Sequence, residues 1–194
     1  YNTLYNPATP GALGASGNRF VFTLAPNLLV TADDATRVYG EANPGVGYEI
    51  TGLVGGDTLA GAVQGAPTIT IDAALNAGVG LYDTLAALGT LSSDYNYGFT
   101  FASGAFSITP RAIIVTADDI SRIYGDADPA LTHALTSGTL EFGDTLAGAI
   151  TRAAGENVGD YAITQGTLSA GGNYTLTFVD GVFSITPRAI TVTA

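Results

Sequence analysis

Residues 29–44 read LVTADDATRVYGEANP, and residues 114–129 read IVTADDISRIYGDADP. The second stretch is a near copy of the first at an offset of 114 − 29 = 85. Val30 with Thr31, and Ile113 and Val115 with Thr116, set apolar against polar residues with a period near two, the pattern of a half-buried strand. Asp33–Asp34 and Asp118–Asp119 then close that strand, because aspartate side chains accept backbone N–H groups in tight turns. Tyr39–Gly40 and Tyr124–Gly125 follow, each trailed by Asn43–Pro44 or Asp128–Pro129. The expected arrangement is a tyrosine packed across the sheet, a glycine at an unusual φ and a proline that ends the turn.

The duplication continues downstream. GDTLAGAV from Gly56 matches GDTLAGAI from Gly143 (143 − 56 = 87), and GTL from Gly89 matches GTL from Gly166 (166 − 89 = 77). AFSITPRAI from Ala105 matches VFSITPRAI from Val182 at the same offset, 182 − 105 = 77. Self-similarity at a fixed period marks a repeat architecture. The changing offsets place two additional residues in unit two before GDTLAGA and about ten in unit one between GDTLAGA and GTL. Insertions collect in loops, so the stretch from Gln64 to Asp83 is expected to be a modified loop or an additional strand. TVTA at Thr191–Ala194 begins the motif a third time. The division is therefore 1–27, lead-in strands of an upstream module; 28–111, unit one; 112–188, unit two; and 189–194, the first strand of a following unit. With no initiator Met at Tyr1, the chain reads as a piece of something longer, or as processed.

The fold class expected is mostly β, or β-rich α+β. TFVDGVFSI predicts a hairpin about Asp180–Gly181, with TFASGAFSI its counterpart about Ser103–Gly104. Asp57 and Asp144 are placed to cap short helices in the TLAGA segments. Each unit then reads strand, turn, strand, short helix, strand, hairpin, compatible with a β-grasp. Units are joined only through Pro110–Arg111, repeated at Pro187–Arg188. Proline fixes φ and holds the preceding residue extended. The expectation is tandem β-grasp-like domains arranged as a rod, each adding roughly 30 Å.

Composition excludes much chemistry. The 194 residues contain no Cys, no Met, no Trp and, on inspection, no Lys, with a single His. Disulfides, thiolate metal sites and a cysteine nucleophile are excluded, as are a Schiff base and a lysine isopeptide cross-link. The net charge of −11 disfavours electrostatic binding to nucleic acid or to an anionic membrane. No run approaches the apolar length of a membrane-spanning helix.

The remaining candidates are few. Asp118, Asp119, Asp126 and Asp128 are candidate calcium ligands, with turn chemistry the plainer reading. Calcium is thus the one cofactor considered. Tyr82, Tyr95 and Tyr97, beside the lengthened part of unit one, are candidate glycan contacts. Ala189, Ile190, Thr191, Val192, Thr193 and Ala194 form a candidate interface, because an exposed strand edge templates pairing with another chain. His133 occurs in one unit only and is read as structural. No catalytic set recurs, so no enzyme is expected.

The string from VTADD through YGDADP, GDTLAGAI, NYTLTF and VFSITPRAI resembles the MBG-type (YG or YDG) repeats of large secreted bacterial adhesins of the filamentous-haemagglutinin-like kind. The resemblance covers both units and departs from the family pattern at VQGAPTITIDAALNAGVGLYDTL. It implies an extracellular, β-grasp-like repeat at a Gram-negative cell surface, serving as stalk or spacer in adhesion or biofilm. The partners implied are neighbouring repeats or copies end to end, with host or matrix surfaces met by distal domains. Two rival expectations stand beside it: a glycan-binding module using the unit-one loop, and a filament subunit joined by strand complementation.

Overall fold

The computed structural model describes residues 26–193. The lead-in strands expected before residue 26, and Ala194 of the candidate interface, lie outside the described residues. Strand accounts for 47% of the described residues and helix for 2%, so the mostly β class holds. Packing divides the described residues into two compact units. One holds 26–37, Ala42–Leu75 and Gly80–Ile108; the other holds Val38–Glu41, Asn76–Val79 and 109–193.

The first repeat runs β1 (Asn27–Ala32), β2 (Ala35–Val38), β3 (Tyr48–Thr51), a single helical turn α1 (Leu59–Ala62), β4 (Val63–Gln64), β5 (Thr68–Ile71), β6 (Gly80–Ala87), β7 (Ser92–Ser93), β8 (Gly98–Ala102) and β9 (Gly104–Thr109). Two sheets carry most of it, ordered β3-β1-β8 and β2-β9-β6-β5, with a small β4-β7 pair beside them. Strand β1 lies parallel to β8 and antiparallel to β3. Its alternation is that of the sequence: Leu28, Val30 and Ala32 are buried. At Asp33–Asp34 the chain leaves one sheet for the other. There Asp34 Oδ1 accepts the Ala105 N–H at 2.6 Å, and the Asp33 carbonyl accepts the Thr84 hydroxyl at 2.8 Å. The bonds here run to residues 71 and 51 positions away and tie the two sheets together.

The second repeat runs β10 (Arg111–Ala117), β11 (Ile120–Ile123), β12 (His133–Ser137), β13 (Thr151–Arg152), β14 (Gly159–Thr164), β15 (Tyr174–Val179) and β16 (Gly181–Thr186). Its sheets repeat the plan, β12-β10-β15 and β11-β16-β14-β13. The core draws on both sheets: Val115 and Ala117 from β10, Ile163 from β14, Phe183 and Ile185 from β16, closed by Ile150 and Leu168. A fully buried side chain of this size stabilises by about 1.5–3 kcal/mol, and Phe183, Ile163 and Val115 are completely buried. Asp119 Oδ1 accepts the Val182 N–H at 2.7 Å, the counterpart of Asp34.

Three expectations are corrected here. First, Asp180–Gly181 and Ser103–Gly104 do not make hairpins. Strand β15 pairs in parallel with β10, whereas β16 pairs with β11 and β14, so the chain crosses between sheets at this point. The glycines serve close approach. A Cβ on Gly104 would lie 2.4 Å from the Ala32 carbonyl oxygen, and one on Gly181 would meet Ala117 at 3.0 Å.

Second, neither aspartate caps a helix. Thr58 is the N-cap of α1 and makes no side-chain cap bond. The second repeat has no helix among its described residues.

Third, the additional residues of unit one do not all fall between Gln64 and Asp83. The Thr90 N–H donates to the Ala66 carbonyl as the Thr167 N–H does to that of Ala149. Ala66 thus stands where Ala149 stands, an offset of 149 − 66 = 83 in place of 87. Four residues, about one helical turn, are accommodated in α1. The remainder lengthens the β5-β6 hairpin.

Candidate functional site

Tyr39 sits in the second compact unit, at the point where β2 ends. Its N–H donates to the Thr109 carbonyl at 2.9 Å, and the Tyr39 carbonyl accepts from Arg111 Nε at 2.7 Å. Gly40 then turns the chain at φ 88°. A Cβ on Gly40 would fall 2.3 Å from Glu141 Cγ, so only glycine fits beside that side chain. Glu141 in turn pairs with Arg111 at 3.6 Å.

The Tyr39 ring is 3% exposed and lies edge-on to two others. Its centroid is 5.6 Å from Phe142 and 5.5 Å from Tyr174, at interplanar angles of 79° and 81°. Such T-shaped pairs add about 0.5–1.5 kcal/mol each beyond area burial. Both phenols converge on one carboxylate oxygen: Asp144 Oδ2 accepts Tyr39 Oη at 3.0 Å and Tyr174 Oη at 2.8 Å. The Glu141 N–H donates to Tyr174 Oη at 2.8 Å. Burial, then the hydrogen bond to Asp144, pushes the Tyr39 phenol above its ordinary pKa. Burial first and Asp144 after it raise that of Tyr174 against the opposing Glu141 N–H. The Asn76–Val79 segment reaches the same unit, where the Val79 N–H donates to Asn173 Oδ1 at 3.0 Å.

The first repeat contains a counterpart of this pair. Tyr97 Oη donates to Asp57 Oδ2 at 2.6 Å, and the Val54 N–H donates to Tyr97 Oη at 3.1 Å. The offsets from Tyr97 to Tyr174 (77) and from Asp57 to Asp144 (87) are those of the flanking motifs. Local sequence points to Asp57 and Asp144 as helix caps and gives Tyr174 no mark of its own. The signal that finds them is the joint recurrence of Gly-Asp-Thr-Leu and Asn-Tyr in both repeats. Tyr39, expected to pack across the sheet, packs its ring on Phe142 and Tyr174.

The other sequence candidates are scattered. Asp118, Asp119, Asp126 and Asp128 are each committed elsewhere: to the Thr132 hydroxyl, the Val182 N–H, Arg188, and the guanidinium groups of Arg122 and Arg152. No group of three or more carboxylate or imidazole ligands gathers among the described residues. Arg122 and Arg152 bridge Asp128 and Glu156 and lie over the Phe183 ring. Tyr97 and Tyr95 pack with Leu28 and Ala62, whereas Tyr82 lies on another sheet against Phe106. Residues 187–193 form no strand, and Ile190 and Val192 are 84% and 85% exposed. His133 opens β12 opposite Ala117.

Two copies of one sheet plan, each carrying a Tyr-Gly-acid turn, match a single family description, MBG domain (YGX type), over residues 28–107 and 113–184. The chain belongs to the MBG domain family. Tyr39-Gly40-Glu41 and Tyr124-Gly125-Asp126 have the YGX form in its two domains. No curated protein matches the chain. The MBG family is a structural repeat domain of adhesin-like proteins and not an enzyme family. Such domains are typical of extracellular adhesin repeats. No helix among the described residues is long and apolar enough to cross a membrane.

Proposed function

We propose that this chain is a run of stalk or spacer repeats in a secreted bacterial surface adhesin or extracellular fibre, supporting adhesion or biofilm. The observation that carries the reading is the pair of MBG domains joined through Pro110–Arg111 with no Gly/Ser linker. Arg111 supports it further, holding the Tyr39 carbonyl and Glu141 at once. A spacer needs stiffness, and each domain contributes roughly 30 Å of length. Small-angle scattering of the 194-residue chain tests this. An elongated particle of two linked bodies without hinge motion is expected. A compact sphere, or an ensemble with free bending at Pro110–Arg111, counts against it.

Strand complementation is a second reading with its own support. Ile190 and Val192 correspond to Ile113 and Val115 (190 − 113 = 192 − 115 = 77), which are 1% and 0% exposed. An apolar pair left 84% and 85% exposed favours burial against a further sheet. Sedimentation of the chain with Ile190→Asp and Val192→Asp should show loss of any higher assembly; assembly that persists argues against this reading.

A further inference from the structure

Tyr39 and Tyr124 share a backbone setting and differ in what covers them. The Tyr124 N–H donates to the Thr186 carbonyl at 2.8 Å, as that of Tyr39 does to Thr109 at 2.9 Å. Arg188 Nε donates to the Tyr124 carbonyl at 2.8 Å, as Arg111 Nε does to that of Tyr39 at 2.7 Å. Gly125 turns at φ 87°, against 88° at Gly40. Yet the Tyr124 side chain is 47% exposed while Tyr39 is 3% exposed. The space that Glu141 fills beside Gly40 is open beside Gly125, where an added Cβ would meet nothing nearer than Arg188 at 3.7 Å.

From this pairing we propose that the Tyr124–Gly125 loop is a plug for a further MBG repeat. Tyr124 seats its ring on that repeat's counterpart of Tyr174, and its hydroxyl donates to the counterpart of Asp144. The inference rests on the reading of the chain as part of a serial array. It names the surface by which one member recognises the next. The occupant it commits to is a second copy of this chain's own repeat. Tyr39 shows such a loop seated, and Tyr97 with Asp57 shows that the Tyr–Asp pair recurs as part of the domain plan. The contact is a buried phenol on a carboxylate with edge-on aromatic rings, a combination of geometry and hydrogen bonding that a generic apolar surface does not supply.

Two extended chains test it. In one, Ala194 is followed by a second pass of residues 118–194; in the other, by residues 33–194. Each reproduces the Thr-Ala-Asp-Asp passage, and the added copy carries Tyr124→Phe so that one residue is reported. Nitration with tetranitromethane, mapped by mass spectrometry, reads exposure. In the 194-residue chain Tyr124 should react at least tenfold faster than Tyr39. In either extended chain Tyr124 should slow at least tenfold, and Asp→Ala at the added receptacle (Asp144, or Asp57 in the longer chain) should restore its rate. Unchanged nitration of Tyr124 in both extended chains overturns the proposal, and so does a Tyr39 that reacts as fast as Tyr124 in the native chain. Scattering from the same chains separates the two readings: extended particles with reactive Tyr124 keep the spacer reading and remove the plug.

Discussion

The hydroxyl of Tyr39 donates to Asp144 Oδ2, the same oxygen that accepts the hydroxyl of Tyr174. One carboxylate atom therefore satisfies two buried donors. Asp144→Ala leaves both phenols without that acceptor. At about 1–3 kcal/mol for each unsatisfied buried group, the second unit should lose about 2–6 kcal/mol. Asp144→Asn keeps one carbonyl acceptor and should lose about half as much. Urea denaturation followed by tyrosine fluorescence measures both, and equal stability of the Ala variant and the wild type would refute the assignment.

Tyr39 and Tyr124 separate packing from motif. Tyr39→Ala removes a buried ring with two edge-on partners and should cost about 3–5 kcal/mol, the range for large aromatic truncations. Tyr124→Ala removes a half-exposed ring and should stay within about 0.5 kcal/mol. Thermal unfolding of the two variants in the 194-residue chain is the check. A large loss at Tyr124 would mean that its ring is held by something other than a further repeat.

The pH limits of the second unit follow from opposite signs. Tyr39 and Tyr174 have raised phenol pKa values, first through burial. In the unfolded chain they release protons near the ordinary value of about 10, while the folded chain still holds them. Their contribution is complete below that value and is lost as pH rises through it towards the folded values. Asp128 is held below the ordinary carboxylate value, first by the hydrogen bond from Arg152. Its contribution is present above that ordinary value and is lost as pH falls through the folded one. Denaturation midpoints should therefore decline on both flanks. Tyr39→Phe should lessen the alkaline decline, and Asp128→Asn the acid one.

Much of this was legible because it repeats. The alternation at Val30 and Val115, the Asp-Asp corners and the class of fold depend on local pattern, which duplication makes unmistakable. What stayed hidden depends on partners distant in the chain. Asp144 looks like a helix cap because an aspartate before Thr-Leu-Ala has that local role. Its real partners, Tyr39 and Tyr174, lie 105 and 30 residues away. Asp180–Gly181 looks like a hairpin because the dipeptide fits a tight turn; sequence does not show that β15 pairs with β10 and not with β16. The ten-residue difference between repeats was visible as a sum, but its division between a helical turn and a longer hairpin was not.

The sheet crossing gives a final discrimination. Gly104 and Gly181 occupy the same corner, with neither at positive φ, so steric room alone decides their tolerance. An added Cβ at Gly104 would lie 2.4 Å from the Ala32 carbonyl oxygen and 2.7 Å from Thr84 Oγ1, which also donates to the Asp33 carbonyl. At Gly181 the nearest atoms are the Ala117 Cβ and carbonyl, both at 3.0 Å, which a small shift relieves. Overpacking of a tight site costs about 1–3 kcal/mol. Gly104→Ala should fall at the upper end and Gly181→Ala at the lower, although a hairpin turn at each would rank the two alike. Equal losses, measured as urea midpoints of the two variants, would return the corner to the turn reading.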